Sequence, residues 1–163
     1  LDELFDNIVL INRPTKKVNL DYVDGKQLDE MLDKLSNEFD SALTIYGRGA
    51  YIMYSELKRL YIILRNLIKN GVFYGTNVRV HICNVGDFVE IIVDDDGPGI
   101  NPEDAKHIFD EFYQSKIVRG KKSGGLGLGL YIVKKLSDEI MASICLTNPG
   151  QPHAKFKLMI PVR

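Results

Sequence analysis

Two alternating runs, NVRVHICN from Asn77 and DFVEIIVDDDG from Asp87, meet at Gly86-Asp87, and this pairing limits the fold more than any other feature. Apolar residues at every second position build a strand with one buried face, and a two-residue glycine turn between two such strands predicts an antiparallel hairpin. A hairpin with one apolar face needs a second layer to cover it. The flanking sequence supplies one: Leu28, Met31, Leu32, Leu35 and Phe39 share a helical face, as do Leu57, Leu60, Tyr61, Leu64, Leu67 and Ile68. Ser55 is positioned to cap the second helix, and Gly71 and Gly75 to break it.

The remaining punctuation fills in the order. A short strand is predicted from Val18, and ALTIY and AYIMY read as two more, joined through GRG. Asn101-Pro102-Glu103-Asp104 has the cap, proline and acids of a helix start, predicting a short helix through Phe109. A helix over about 128–138 and two strands, ASICLTN and AKFKLMIP, close the chain. Ahead of all this, Leu1, Leu4, Phe5, Ile8 and Ile11 form a helical stripe that stops before Pro14. The expected fold is α+β, a two-layer sandwich of a mixed, mostly antiparallel sheet with helices on one face.

Composition excludes several functions. A formal charge of -1 gives no electrostatic case for nucleic acid as a partner. Cys83 and Cys145 lack any Cys/His cluster, so neither a zinc knuckle nor a disulfide framework is indicated, and a cytoplasmic setting is favoured. No apolar run approaches the roughly 18 residues of a membrane span.

Three stretches carry chemistry. Asn66 and Asn70 lie one helical turn apart, so their carboxamides share a face and offer neutral oxygen donors suited to Mg²⁺ already bound to phosphate. In DDDGPGI, from Asp94 to Ile100, Gly97 and Gly99 permit close approach of a flat ligand, and an aspartate beside them can accept from an exocyclic amine. A calcium loop is disfavoured because Ile92 stands at its first ligand position. Gly125, Gly127 and Gly129 feed a helix start whose free amides and dipole can hold phosphate oxygens. They fit neither a Walker A loop, where Ser115 replaces the first glycine, nor the dinucleotide fingerprint, whose spacing differs.

Taken in order, RNLIKNGVFYG, DDDGPGI, IFDEFY and GGLGLGLYIVKKL resemble the N, G1, F and G2 boxes of the catalytic, ATP-binding domain of sensor histidine kinases, members of the Bergerat-fold ATPases. The resemblance implies that Asn70 binds Mg²⁺ with Asn66 beside it, that Tyr74 lines the nucleotide pocket, and that Asp95 receives the adenine amine. It implies further that Gly97, Gly99 and Ile100 shape that pocket, and that Gly125, Leu126, Gly127, Leu128 and Gly129 wrap the phosphates. Phe109 and Phe112 would anchor a lid over ATP between Gln114 and Gly125.

By the same resemblance, residues 1–16 would end a dimerisation-domain helix and its linker, and residues 17–163 would form the ATP-binding domain. The phosphate acceptor would lie on that other domain, since His81, His107 and His153 do not match the family's acceptor pattern. A response regulator would receive the phosphate next, and the parent would be a homodimer anchored in the inner or plasma membrane. Phe73 and Gln114 stand where the family usually carries a cation, which leaves a non-catalytic nucleotide- or partner-binding module as the alternative. Hydrolysis of the gyrase or chaperone type is disfavoured, because its water-activating Glu would fall at Asn66.

Overall fold

The computed structural model describes residues 9, 12, 17–114 and 127–163. The stripe before Pro14 and the predicted division at residue 16 fall almost wholly outside the described residues. Strand β1, Asp21–Asp24, starts later than the expected Val18, and Val18 and Leu20 instead pack on the core as irregular chain. Helix α1, Gly25–Phe39, opens on a reciprocal cap: Asp24 Oδ1 accepts the Gln27 amide at 2.9 Å while Gln27 Oε1 accepts the Asp24 amide at 3.1 Å. It buries Leu28, Met31, Leu32 and Leu35, with Phe39 partly covered, as the periodicity predicted.

Strands β2, Leu43–Tyr46, and β3, Ile52–Ser55, are joined through GRG but never pair with each other. β2 runs parallel to β4, Val78–Val85, whereas β3 pairs antiparallel with β1 in a separate two-stranded ribbon. Three contacts explain why the connection crosses over rather than forming a hairpin. Gly47, at φ +80°, has no room for a Cβ, which would stand 2.1 Å from Ile82 O, and Tyr51 Oη donates to Ile82 O at 2.9 Å. Arg48 reaches back to Asp33 on α1 at 2.8 Å.

Helix α2, Leu57–Tyr74, corrects two expectations. Glu56 is the cap residue, its side chain accepting no helix amide, because the alternation of β3 turns Met53 and Ser55 into the core; Ser55 Oγ is buried without a hydrogen-bond partner. The helix also runs straight through Gly71 and ends at Gly75, whose amide donates to Gly71 O at 2.9 Å. Gly71 serves packing: a Cβ there would stand 2.6 Å from Val78 Cγ2 and 3.2 Å from Asp95 Cβ.

The hairpin forms as predicted, with β4 and β5, Phe88–Asp95, in register from Val78↔Asp95 to Val85↔Phe88 and Gly86 at φ +58° in the turn. Asn101 caps α3, Pro102–Ala105, by accepting the Asp104 amide at 2.7 Å. The predicted continuation to Phe109 is instead a run of tight turns, His107 N to Asp104 O and Asp110 N to His107 O. Helix α4, Gly129–Glu139, and strands β6, Ser143–Leu146, and β7, Lys155–Pro161, complete the chain.

The main sheet has the order β2-β4-β5-β7-β6, parallel only at β2–β4, so the α+β two-layer expectation holds. Its inner face, with Val80, Ile91 and Leu158 fully buried, meets Ile63, Leu64 and Leu67 of α2 and Ile132 and Val133 of α4. Each such side chain contributes about 1.5–3 kcal/mol on burial. Arg59 joins the start of α2 to the end of α4, its Nε donating to Glu139 at 2.7 Å while its other arm binds Glu56. The two helices therefore lie antiparallel, which brings the C-terminal half of α2 to the N-terminus of α4.

Candidate functional site

That crossing assembles a slot between the ends of α2, β5 and α4. Asn70, Tyr74, Asp95, Gly99 and Ile100 all line it, together with Leu130 from the first turn of α4. The sequence segments that looked separately suggestive thus share one cavity.

Asp95 occupies the inner wall, 6% exposed, as the last residue of β5. Its Oδ1 accepts the Gly97 amide at 2.8 Å and the Ala154 amide at 3.3 Å, while Oδ2 has no hydrogen-bond partner among the described residues. Burial pushes the carboxyl upward from its ordinary pKa, and the two amides only partly counter that. The unpartnered oxygen can accept a donor from water or from a ligand. Gly97 cannot carry a Cβ without crowding Asp95 Oδ1 and the Tyr74 carbonyl, and Gly99, at φ +80°, lies against the Gln151 carbonyl. Ile100 is half-buried at the slot's edge, its carbonyl accepting the Gly150 amide at 2.7 Å.

The two asparagines divide. Asn70 faces the slot, whereas Asn66, one turn earlier, is buried beneath it with Nδ2 donating to Ile62 O at 2.9 Å. That bond leaves the Asn66 oxygen pointing at α4: a Cβ on Gly129 would stand 3.4 Å from Asn66 Oδ1 and 3.7 Å from Asn70 Oδ1. The first turn of α4 therefore rests on both carboxamides. Leu128 is buried, and its carbonyl accepts the Ile132 amide at 2.9 Å; no side chain caps this helix. Gly127, at φ +73°, lies against the Tyr113 carbonyl. Gly125 and Leu126 lie outside the described residues.

Tyr74 is 38% exposed at the mouth, edge-on to Phe73 at 5.0 Å. Phe109 packs edge-on against Phe156 at 6.2 Å. Phe112 is 62% exposed at φ +61°, because the turn that delivers Tyr113 to the slot turns the preceding side chain outward; the lid segment it was expected to anchor, residues 115–126, lies outside the described residues. The sequence reading missed Tyr113, Asp104 and Ala154. Asp104 was visible only as a first-turn helix acid, and nothing in the sequence could flag Ala154, which reaches Asp95 through its position just ahead of β7.

None of the three histidines joins the slot lining; His81 stacks on Tyr46 at 4.8 Å on the opposite sheet face. No helix among the described residues is long and apolar enough to cross a membrane.

A family model described as the histidine kinase-, DNA gyrase B- and HSP90-like ATPase matches residues 55–163, which include every slot residue named above. The chain belongs to this family. The sensor histidine kinase CpxA of Escherichia coli K12 is 34% identical over 142 residues, covering 82% of this chain and 31% of CpxA. The sensor histidine kinase RppB of Synechocystis is 25% identical over 173 residues, covering 99% of this chain and 38% of RppB. The chain thus spans a minor part of each relative's length.

Solved structures with the same fold include full-length ShkA in complex with AMPPNP, at TM-score 0.74 and 22% identity over 98% of this chain and 35% of that one. The histidine kinase domain of the E. coli osmosensor EnvZ aligns at TM-score 0.65 and 24% identity over 92% of this chain and 93% of that one.

Proposed function

We propose that the chain is the ATP-binding catalytic domain of a sensor histidine kinase and that the slot holds Mg·ATP for transfer of its γ-phosphate to a histidine on a separate dimerisation domain. The observation that carries this reading is Asp95, a buried carboxylate with one oxygen engaged by backbone amides and one open to the slot. An adenine amine supplies the missing donor. Across the slot, the uncapped first turn of α4 offers amides to the phosphates.

Among the described residues no group of three or more His, Cys, Asp or Glu could hold a metal by itself. The donor set fits an ion that brings its own oxygens: Asn70, with Asn66 behind it, would add a neutral ligand to Mg²⁺ bound to phosphate and water. That ion would neutralise charge on the phosphates during transfer. The chain's own residues orient the nucleotide and exclude water. Phosphoryl transfer asks for little more than alignment and charge stabilisation, so no general base is required within this domain.

The dimerisation-domain histidine, a response regulator downstream, and a homodimeric, membrane-anchored parent with this domain in the cytoplasm complete the proposal. Calorimetric titration with Mg·ATP tests its first step, and absence of Mg-dependent binding overturns it. Joining the domain to its native preceding segment and supplying radiolabelled ATP tests the second: an acid-labile, base-stable label is expected, and binding without label would refute transfer.

A further inference from the structure

A second buried carboxylate lines the same slot and is built differently from Asp95. Asp104 is 8% exposed, and both its oxygens are engaged within the protein: Oδ1 accepts the Tyr113 hydroxyl, and Oδ2 accepts Asn101 Nδ2 at 2.7 Å. Each oxygen thus already has a donor from within the protein, and the bond to the Tyr113 hydroxyl ties α3 to the turn that follows it. The Tyr113 backbone in turn meets the other side of the slot, since a Cβ on Gly127 would stand 2.5 Å from Tyr113 O and 2.8 Å from Phe112 C. Two residues beyond Gly127, Gly129 rests on Asn66 and Asn70.

A continuous path therefore runs from the base side of the slot to the phosphate side. It begins at the Gly97–Asn101 loop beside Asp95, passes through Asn101 and Asp104 to Tyr113, and ends at the entry to α4. We propose that Asp104 and Tyr113 are positioning residues that hold the start of α4 in register with the Asp95 wall, so that one nucleotide engages both ends at once. This rests on the nucleotide reading above. A hydroxyl donating to a buried carboxylate is among the stronger protein hydrogen bonds, and its loss leaves Asp104 with an unmet acceptor.

The positioning role predicts a split that a loss of stability would not produce. Tyr113→Phe should weaken Mg·ATP about tenfold, in keeping with the loss of one charge-assisted hydrogen bond. Adenosine, which engages only the base side, should bind within about twofold of wild type, a window well inside a single hydrogen bond's worth. Calorimetry for ATP and amide chemical-shift titration for adenosine, both well below the melting transition, provide the two readouts. Asp104→Ala should show the same split, and the double variant should lose no more than the worse single one, because each acts through the other. Adenosine binding by each variant certifies that it is folded.

Equal ATP affinity for wild type and Tyr113→Phe, a parallel fall in ATP and adenosine affinity, or additive losses in the double variant would each overturn the positioning role while leaving the nucleotide reading standing. Wild-type protein that binds neither ligand would overturn both.

Discussion

Asp95 Oδ1 holds the Gly97 amide at 2.8 Å and the Ala154 amide at 3.3 Å at the same time, which fixes the carboxylate across the junction of β5 and β7. The geometry fixes one oxygen and leaves the other for a ligand, so the roles of the two can be separated by substitution.

Asp95→Asn keeps an oxygen for both amides and replaces the ligand-facing oxygen with a donor. Mg·ATP binding should be lost by calorimetry, and retained affinity would rule out the adenine contact. Stability should move the other way. Burial raises the Asp95 pKa above 3.8, so its contribution is favourable below that value and is lost as pH rises through the folded-state value. At pH 7 the ionised group opposes folding, and the variant should melt at or above the wild-type temperature, the gap closing toward about pH 4.

Asp96 has the opposite sign. The Asn77 and Thr76 amides, at 2.8 and 2.6 Å, and the Asn77 side chain lower its pKa from 3.8 to about 2. Its contribution is present above the unfolded value and fades as pH falls through about 2. Melting curves of Asp96→Ala should lie below wild type at pH 7 and converge with it near the acid limit. Parallel curves at all pH values would contradict a stabilising role for the Asp96 bonds to Thr76 and Asn77.

Asn66 and Asn70 should respond differently to truncation. Asn70→Ala should leave the fold intact and remove most of the Mg-dependence of ATP affinity, read as the difference between titrations with and without Mg²⁺. Asn66→Ala should cost about 1–2 kcal/mol of stability in urea unfolding, since it deletes a buried carboxamide bonded to Ile62. Equal effects on both readouts would show that the two residues share one role.

Gly71→Ala should destabilise by about 1–3 kcal/mol through overpacking on Val78, despite alanine's helix preference of about 1 kcal/mol. Val78→Ala alone costs a cavity; combined with Gly71→Ala it should recover part of the loss. An additive double variant would place the strain elsewhere.

Local pattern was enough for the elements and for much of the site. The alternation around Gly86-Asp87 forces the hairpin, the helical stripes of Leu28 to Phe39 and Leu57 to Ile68 force two amphipathic helices, and the Asn101 cap follows from side-chain chemistry in four consecutive residues. Asn70, Tyr74, Asp95, Gly99 and Ile100 were identifiable because their boxes are contiguous in the chain, and all five meet in one slot. Tertiary structure decided what contiguity cannot encode. β2 and β3 part company because Gly47, Arg48 and Tyr51 find partners in β4 and α1; Ser55 leaves its capping role because strand alternation turns it inward. Asn66 and Asn70 separate into a buried support and a slot residue through the approach of Gly129, and Asp104 becomes Tyr113's partner only when the turns after α3 bring the phenol back. A side chain's periodicity tells which way it faces, but its partner is set by distant backbone that the same sequence folds into place.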